Sequence, residues 1–344
     1  MTFEASSPAT VVTMLSGTCI RPREFALVER ELPQVAPPGH VLLDVAAVGI
    51  CGTDYHILQG KHPYLAYPRV IGHELSATVA ETAEGWARGQ LVVVNPYIAC
   101  GSCRACRRGK PNCCQRIEVL GVHRDGGLCA RIMVPAGNLY AADGLTPIEA
   151  AMVEFLAIGA HAVRRSGLGT GDRVLVTGVG PIGLGTALFA RLAGAEVHLL
   201  DVSPERLELA ATRFGFERTH VAGQPVAVGE LADGFDAVFD ATGNARAIEA
   251  GFPLVAHGGS YVLVSVVRDQ ITFDDPEFHK REMRLIGSRN ALKEDFDQVM
   301  DALRSGAIDS EALCSEVLSL EEFGGRFAAL ATDRTQLIKA IVRL

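Results

Sequence analysis

No apolar run in this 344-residue chain approaches the ~18 residues needed to span a bilayer, and even Val41–Ile50 is broken by Asp44. No basic stripe is present either: 32 Lys and Arg face 40 Asp and Glu, for a net charge of −8, which argues against nucleic acid as a partner. The first Lys or Arg is Arg21, so the positively charged start of a secretory signal is missing and a cytoplasmic protein is expected. The cysteine count is nine, an odd number, with five crowded into Cys100–Cys114. Disulfide scaffolds are short, even-numbered and secreted; clustered cysteines in a long acidic chain point instead to metal ligation in a reducing cytosol. With 48% hydrophobic residues the chain can bury sizeable cores, and its length suits about two domains of ~150 residues.

The pattern changes along the chain. Met1 to about Thr10 reads as a polar tail, with folded structure starting near Met14. Up to about Pro147, short apolar or alternating runs bounded by Pro and Gly predict strands: Phe25–Leu32, Val41–Ile50, Leu75–Glu81 and Gln90–Pro96. Pro147–Arg165 carries apolar residues at helical spacing. Strands and helices then alternate: strand Arg173–Thr177, helix Pro181–Leu192, strand Glu196–Asp201, helix Pro204–Phe214, strand Phe235–Ala241, helix Ala245–Ala256, strands Tyr261–Val267 and Met283–Gly287. That alternation predicts a doubly wound parallel sheet. A helix over Lys293–Ser305 and a short terminal strand, Ile338–Val342, follow. The strand is too short for a domain of its own and is expected to return to the first domain. The expected division is a discontinuous domain of residues 1–154 and 290–344 and a dinucleotide-binding domain of residues 155–289.

Gly178-Val-Gly180-Pro-Ile-Gly183 lies directly between an apolar strand and a helix, the context that a Gly-x-Gly-x-x-Gly phosphate loop requires. Gly178 permits the tight turn, Gly180 the approach of backbone N–H groups to a pyrophosphate, and Gly183 close packing of helix on strand. Pro181 and Ile182 open the helix, whose positive end faces the phosphates. Asp201, about 20 residues on, suits the ribose hydroxyls of NAD and opposes the 2′-phosphate of NADP, although Arg206 nearby is the kind of residue that accepts that phosphate. The alternative is a plain strand–helix turn with Asp201 capping the next helix.

Cys100, Cys103, Cys106 and Cys114 have the spacing to close a tetrahedron on Zn²⁺; with no open position, this would be a structural site, the adjacent Cys113 being a competitor for Cys114. Free thiols or a disulfide pair are the alternative. Cys51 and His73 offer the sulfur and imidazole of a second zinc site, which a carboxylate would complete as an open three-ligand site; Glu74 and Glu154 both qualify, Glu154 because it sits among apolar residues where a lone carboxylate is costly.

Cys51-Gly-Thr53-Asp-Tyr-His56, Gly72-His73-Glu74, the four-cysteine segment and Gly178-x-Gly-Pro-Ile-Gly183 occur together in one chain. In combination they resemble the zinc-dependent medium-chain dehydrogenase/reductase (alcohol dehydrogenase-like) superfamily over nearly the whole length. Glu154, where classical alcohol dehydrogenases carry a third cysteine, makes Val153–Ala162 resemble the polyol (sorbitol-type) and threonine dehydrogenases. The resemblance implies an α/β architecture: a GroES-like, mostly-β catalytic domain, a Rossmann domain and a cleft between them. It implies two zinc ions per chain, the catalytic one held by Cys51, His73 and either Glu74 or Glu154, the other carboxylate hydrogen-bonding a zinc-bound water. Thr53 would contact the substrate oxygen and pass its proton through the cofactor ribose to His56. The cofactor contacts expected are Gly178, Gly180, Pro181, Ile182, Gly183, Asp201, Arg206, Thr242, Ser265 and Arg289.

Leu120–Gly127, with His123 and Arg124, and the segment around Arg289 resemble sugar-acid dehydrogenases of the L-galactonate/L-gulonate type. Cationic groups would suit a carboxylate, and His123, Arg124 and Arg289 are the expected substrate contacts. The expected reaction is oxidation of a secondary hydroxyl of a polyol or sugar acid by NAD⁺. Alternatives are an L-threonine 3-dehydrogenase-like or other alcohol dehydrogenase and, in a different class, a non-catalytic zinc and NAD(H)-binding protein. The resemblance also implies a homodimer or homotetramer, with Tyr261–Val267 as the edge strand for pairing unless it lies inside the sheet.

Overall fold

The computed structural model describes residues 11–62, 65–226, 229–332 and 335–344. The expected tail over Met1–Thr10 lies outside them. Among the described residues, no helix is long and apolar enough to cross a membrane.

Two sheets organise the chain. In the first, the strands run in the order Leu139–Ala141, Leu91–Val94, Glu74–Val79, His40–Ile50, Lys339–Arg343, Cys314–Ser319, and Arg131–Pro135 also pairs with His40–Ile50. Val41, Leu43, Val45 and Val48 of its long central strand are buried in one core with Leu75, Ala77, Val92 and Val94. The terminal strand Lys339–Arg343 lies inside this sheet, antiparallel to His40–Ile50 and parallel to Cys314–Ser319. Phe323 and Phe327 of helix Leu320–Leu330 cover the same core. A hairpin of Thr13–Arg21 and Glu24–Glu31 joins Arg69–Val70 in a small separate sheet.

The second sheet is parallel, in the order Thr219–Val221, Glu196–Asp201, Arg173–Thr177, Phe235–Asp240, Val255–Leu263, Arg284–Gly287. This is the doubly wound arrangement, with its switch point beside Arg173–Thr177, where the glycine loop begins. Strands buried on both faces need uniformly apolar sequence, and Val174, Leu175, Val176, Val238 and Phe239 supply it.

Three expectations need correction. Tyr261–Val267 is not an edge: the strand is Val255–Leu263 and pairs on both sides, leaving Arg284–Gly287 outermost. Pro147–Arg165 is two helices, Pro147–Ala151 and Val153–Ser166, with a turn at Met152. The first is set by Thr146, whose hydroxyl accepts from the Glu149 N–H while the Glu149 carboxylate accepts from the Thr146 N–H. The helix predicted to reach Ala256 stops at Gly251, because Pro253 forces a short 3₁₀ turn, Phe252–Leu254, before the next strand.

Candidate active site

Cys51 ends the central strand of the first sheet and begins helix Gly52–Leu58. The Asp54 carboxylate accepts from the Cys51 N–H at 2.9 Å, as a first-turn residue does in a capping box, and from the Gly72 N–H at 3.2 Å. One buried carboxylate thereby ties the Cys51 loop to the His73 loop. Asp54 Oδ1 also lies 3.8 Å from His73 Nδ1, beyond hydrogen-bond reach, so its charge faces the imidazole while Nδ1 has no hydrogen-bond partner among the described residues. The register places Gly49 opposite Glu74, and a Cβ on Gly49 would stand 2.2 Å from Glu74 Oε2. Only glycine there leaves room for this carboxylate to lie across the strand.

The result is a cluster in which ligand atoms of Cys51, His73 and Glu74 all lie within 4.8 Å of one another. One sulfur, one imidazole and one carboxylate is a zinc-type donor set with an open position. Both Glu74 oxygens also accept from Lys339 Nζ at 2.7 Å, leaving lone pairs on the other side of the carboxylate. Glu154, in the first turn of Val153–Ser166, is buried beside the cluster and accepts a hydrogen bond from the Tyr97 hydroxyl. Burial, opposed by His73, pushes the Glu154 carboxyl up to about 7. Thr53 Oγ1 is 3.8 Å from Cys51 Sγ, and His56, one turn along the same helix, is exposed.

Ligand atoms of Cys100, Cys103, Cys106 and Cys114 also lie within 4.8 Å of one another. The Cys103 sulfur is 3.4 Å from that of Cys106 and 3.9 Å from that of Cys114. Backbone N–H groups of Ser102 and Cys103 hold the Cys100 thiol down to about 5, and those of Cys106 and Gln115 hold Cys103 at about 7. Burial and the neighbouring sulfurs push Cys106 up to about 12, so the four thiols share their protons unevenly, and a bound cation would stabilise all four as thiolates. Cys113 is exposed and outside the cluster.

The glycine loop fits a dinucleotide. A Cβ on Gly183 would fall 1.8 Å from the Gly178 carbonyl oxygen, so the helix seats on the strand only without a side chain. Gly180 caps helix Pro181–Leu192, and a Cβ there would meet only Arg206 Nη1, at 3.4 Å, so its face is open to a ligand and lies beside a cation. The Asp201 carboxylate accepts from Val179 N–H at 2.6 Å and Ser203 N–H at 2.9 Å, which holds it at the loop. Thr242 and Ser265 both donate to the buried carboxylate of Asp240, so two connecting loops share one anchor.

Arg124 and Arg289 are both exposed; Arg124 is ion-paired with Glu118 at 2.5 Å. The exposed His123 accepts at Nδ1 from the Val119 N–H at 3.1 Å, which leaves the proton of its neutral ring on Nε2. Two further polar candidates escaped sequence reading, the guanidinium of Arg268 and the imidazole of His62. Arg268 donates from its guanidinium to the Lys61 carbonyl, linking the loop after Val255–Leu263 to the segment after helix Gly52–Leu58. His62 feels, besides its own burial, the fields of His123, His56, His73 and Arg268, and is held below the ordinary histidine value.

Comparison with known proteins agrees with this layout. The family model of the alcohol dehydrogenase GroES-like domain matches residues 37–144, and that of the zinc-binding dehydrogenases matches residues 181–305. The chain is 38% identical over 340 residues to L-galactonate-5-dehydrogenase of Escherichia coli K12, covering 96% of this chain and 99% of that protein. The chain belongs to the zinc-dependent medium-chain dehydrogenase family. It is 34% identical over 314 residues to D-altritol 5-dehydrogenase of Agrobacterium fabrum, covering 88% of this chain and 92% of that protein. Among solved structures, an Escherichia coli CFT073 alcohol dehydrogenase complexed with NADH superposes with a TM-score of 0.89 at 28% identity, covering 96% of this chain and 99% of that one. A Sinorhizobium meliloti zinc-binding dehydrogenase bound to NADP gives 0.89 at 29% identity, covering 97% and 100%. The protein is therefore a zinc-containing dehydrogenase that oxidises a hydroxyl group with a nicotinamide cofactor.

Proposed function

We propose that this dehydrogenase oxidises a secondary hydroxyl of a sugar acid with NAD⁺, using residues 1–154 and 290–344 as the catalytic domain and 155–289 as the cofactor domain. The observation that carries the choice of an acid is the Arg268 guanidinium, held on the Lys61 carbonyl just past the end of the helix that follows Cys51. A guanidinium there, with the neutral His123 ring offering an N–H, favours a substrate carboxylate over a neutral alditol. The names of two relatives, L-galactonate-5-dehydrogenase and 2-dehydro-3-deoxy-L-galactonate 5-dehydrogenase of Pseudoalteromonas atlantica, support the same class. A neutral polyol is the second reading, favoured by the altritol relative.

Cys51, His73 and Glu74 form the ligand set in this reading, with Glu154 beside them as hydrogen-bond acceptor and Cys100, Cys103, Cys106 and Cys114 as the structural set. Zinc held there would supply Lewis acidity toward a hydroxyl oxygen and the nicotinamide a hydride acceptor. Thr53 Oγ1 accepts the hydroxyl proton and donates its own onward. His56, on the same helix and facing water, releases the proton to solvent; an imidazole does this readily near neutral pH. Asp201 selects NAD by accepting from ribose hydroxyls, and Thr242 and Ser265, fixed by Asp240, complete the cofactor wall. His123 and Arg289 join the substrate side; Arg124, its charge met by Glu118, contributes less. Assembly as a homodimer or homotetramer in the cytoplasm belongs to the same reading, with Arg284–Gly287 as the open sheet edge.

Steady-state turnover of NAD⁺ with a panel of aldonates, alditols, L-threonine and short primary alcohols tests this. Aldonates should lead. Preference for ethanol-like alcohols or L-threonine, or no NADH formed with any substrate while zinc and cofactor bind, would overturn it.

A further inference from the structure

The chain leaves the parallel sheet after Arg284–Gly287 and enters helix Lys293–Arg304 through residues 288–292. Arg289 belongs to this short connection. Its backbone is gripped by a residue far away in sequence. Asn112 lies in the 3₁₀ turn Pro111–Cys113, within the four-cysteine lobe, and is buried. Its side-chain N–H₂ donates to the Arg289 carbonyl at 2.9 Å, and its own carbonyl accepts from Asn290 Nδ2 at 3.2 Å.

The same N–H₂ group lies 3.3 Å from His161 Nε2. His161 Nδ1 is 2.8 Å from a carboxylate oxygen of Asp295, so the ring donates there and accepts from Asn112. Asp295 in turn accepts from Arg164 at 2.7 Å and from the Leu292 N–H at 2.7 Å. The line Arg164–Asp295–His161–Asn112 thus grips the connection at both ends, at Arg289–Asn290 and at Leu292. Asn112 Oδ1 has no partner among the described residues, so it is the donor half of this amide that the fold uses.

We propose that Asn112 is a positioning residue through which the four-cysteine lobe sets the pose of residues 289–292, and with it the Arg289 side chain at the cofactor and substrate. The lobe then stabilises its own loop and also fixes the path by which the chain passes from the cofactor sheet back to the catalytic half. The last clause of the proposal rests on the reading of Arg289 as a ligand contact; the latch itself does not.

Hydrogen–deuterium exchange on the zinc-loaded, full-length enzyme separates the two. Asn112→Asp keeps the shape and removes the donor. Peptides covering residues 286–296 should exchange about tenfold faster, the factor of one lost hydrogen bond, while the zinc content of the lobe is retained. KM for NAD⁺ or the sugar acid should rise by a similar factor with kcat changed less than about twofold. Exchange at 286–296 equal to wild type overturns the proposal, even if the melting temperature falls. Loss of lobe zinc in both Asn112→Asp and Asn112→Ala also overturns it, because Asn112 would then serve the metal site alone. Faster exchange with unchanged KM, together with an Arg289→Ala variant of wild-type kinetics, keeps the latch and removes Arg289 from the ligand site.

Discussion

Lys339 Nζ stands 2.7 Å from each carboxylate oxygen of Glu74, with both side chains buried, the Phe155 ring 4.2 Å away and the Ile50 carbonyl at 3.3 Å. Burial works against the ammonium, but Glu74 outweighs it and holds Lys339 above its ordinary value. The pair lets a carboxylate exist at the floor of an apolar sheet next to Cys51 and His73. In the zinc-free protein, removing one member strands the other, since no metal then offers Glu74 a second cation. Lys339→Ala should therefore destabilise the protein by about 3–5 kcal/mol, whereas replacing both partners by apolar residues should cost less. Urea denaturation of the single and double variants measures this, and a single variant as stable as wild type contradicts it.

The two sulfur clusters predict separable losses. Cys51→Ala should cost one zinc equivalent and slow turnover at least about a thousandfold, the worth of several kcal/mol of transition-state stabilisation. Cys103→Ala should cost the other equivalent and lower stability, with a smaller effect on turnover in molecules that remain folded. Metal analysis beside kinetics reads both, and equal kinetic damage from the two substitutions would merge sites that the geometry keeps apart.

Asp201 makes the cofactor choice testable. Asp201→Ala should lower kcat/KM for NAD⁺ about 10- to 100-fold, the range for charge-assisted hydrogen bonds. It should also raise activity with NADP⁺, because repulsion disappears while Arg206 stays beside Gly180. An unchanged NAD⁺/NADP⁺ ratio would remove Asp201 from the ribose site.

Acid should weaken the protein partly through Asp295. Burial alone would raise this carboxyl, but hydrogen bonds from His161 and Arg164 overcome it and hold it below the ordinary value. A depressed folded-state value adds stability above the unfolded pKa, about 3.9, and that stability is lost as pH falls through the lower folded value. Asp295→Asn lacks the contribution at every pH. Its deficit in urea midpoint against wild type should be full near neutrality and shrink below about pH 4; a deficit that stays constant to pH 3 would exclude this origin.

The alternating half was the most legible in the sequence, because buried parallel strands and amphipathic helices carry strong periodic signals; strand Arg173–Thr177 and helix Pro204–Phe214 fall at the expected residues. The edge assignment of Tyr261–Val267 failed because an apolar strand at an edge and one inside a sheet read alike. Cys51, His73 and the four cysteines were visible as residue types at a spacing. Their supports were less so. Lys339 could have been noticed as a cation inside the apolar run Ile338–Val342. Asp54, Tyr97, Asp240 and Asn112 gave no signal, since each acts across a distance in sequence that only the folded chain closes.

Strand Lys339–Arg343 carries a consequence for biogenesis. It pairs with His40–Ile50 some three hundred positions upstream, and it brings the cation for Glu74. While a ribosome is making the parallel sheet, the earlier half already holds its cysteines and His73 but lacks both a sheet neighbour and a counter-charge. The sheet beneath Glu74 can therefore close, and its carboxylate meet its buried counter-charge, only after residues 339–343 have been synthesised.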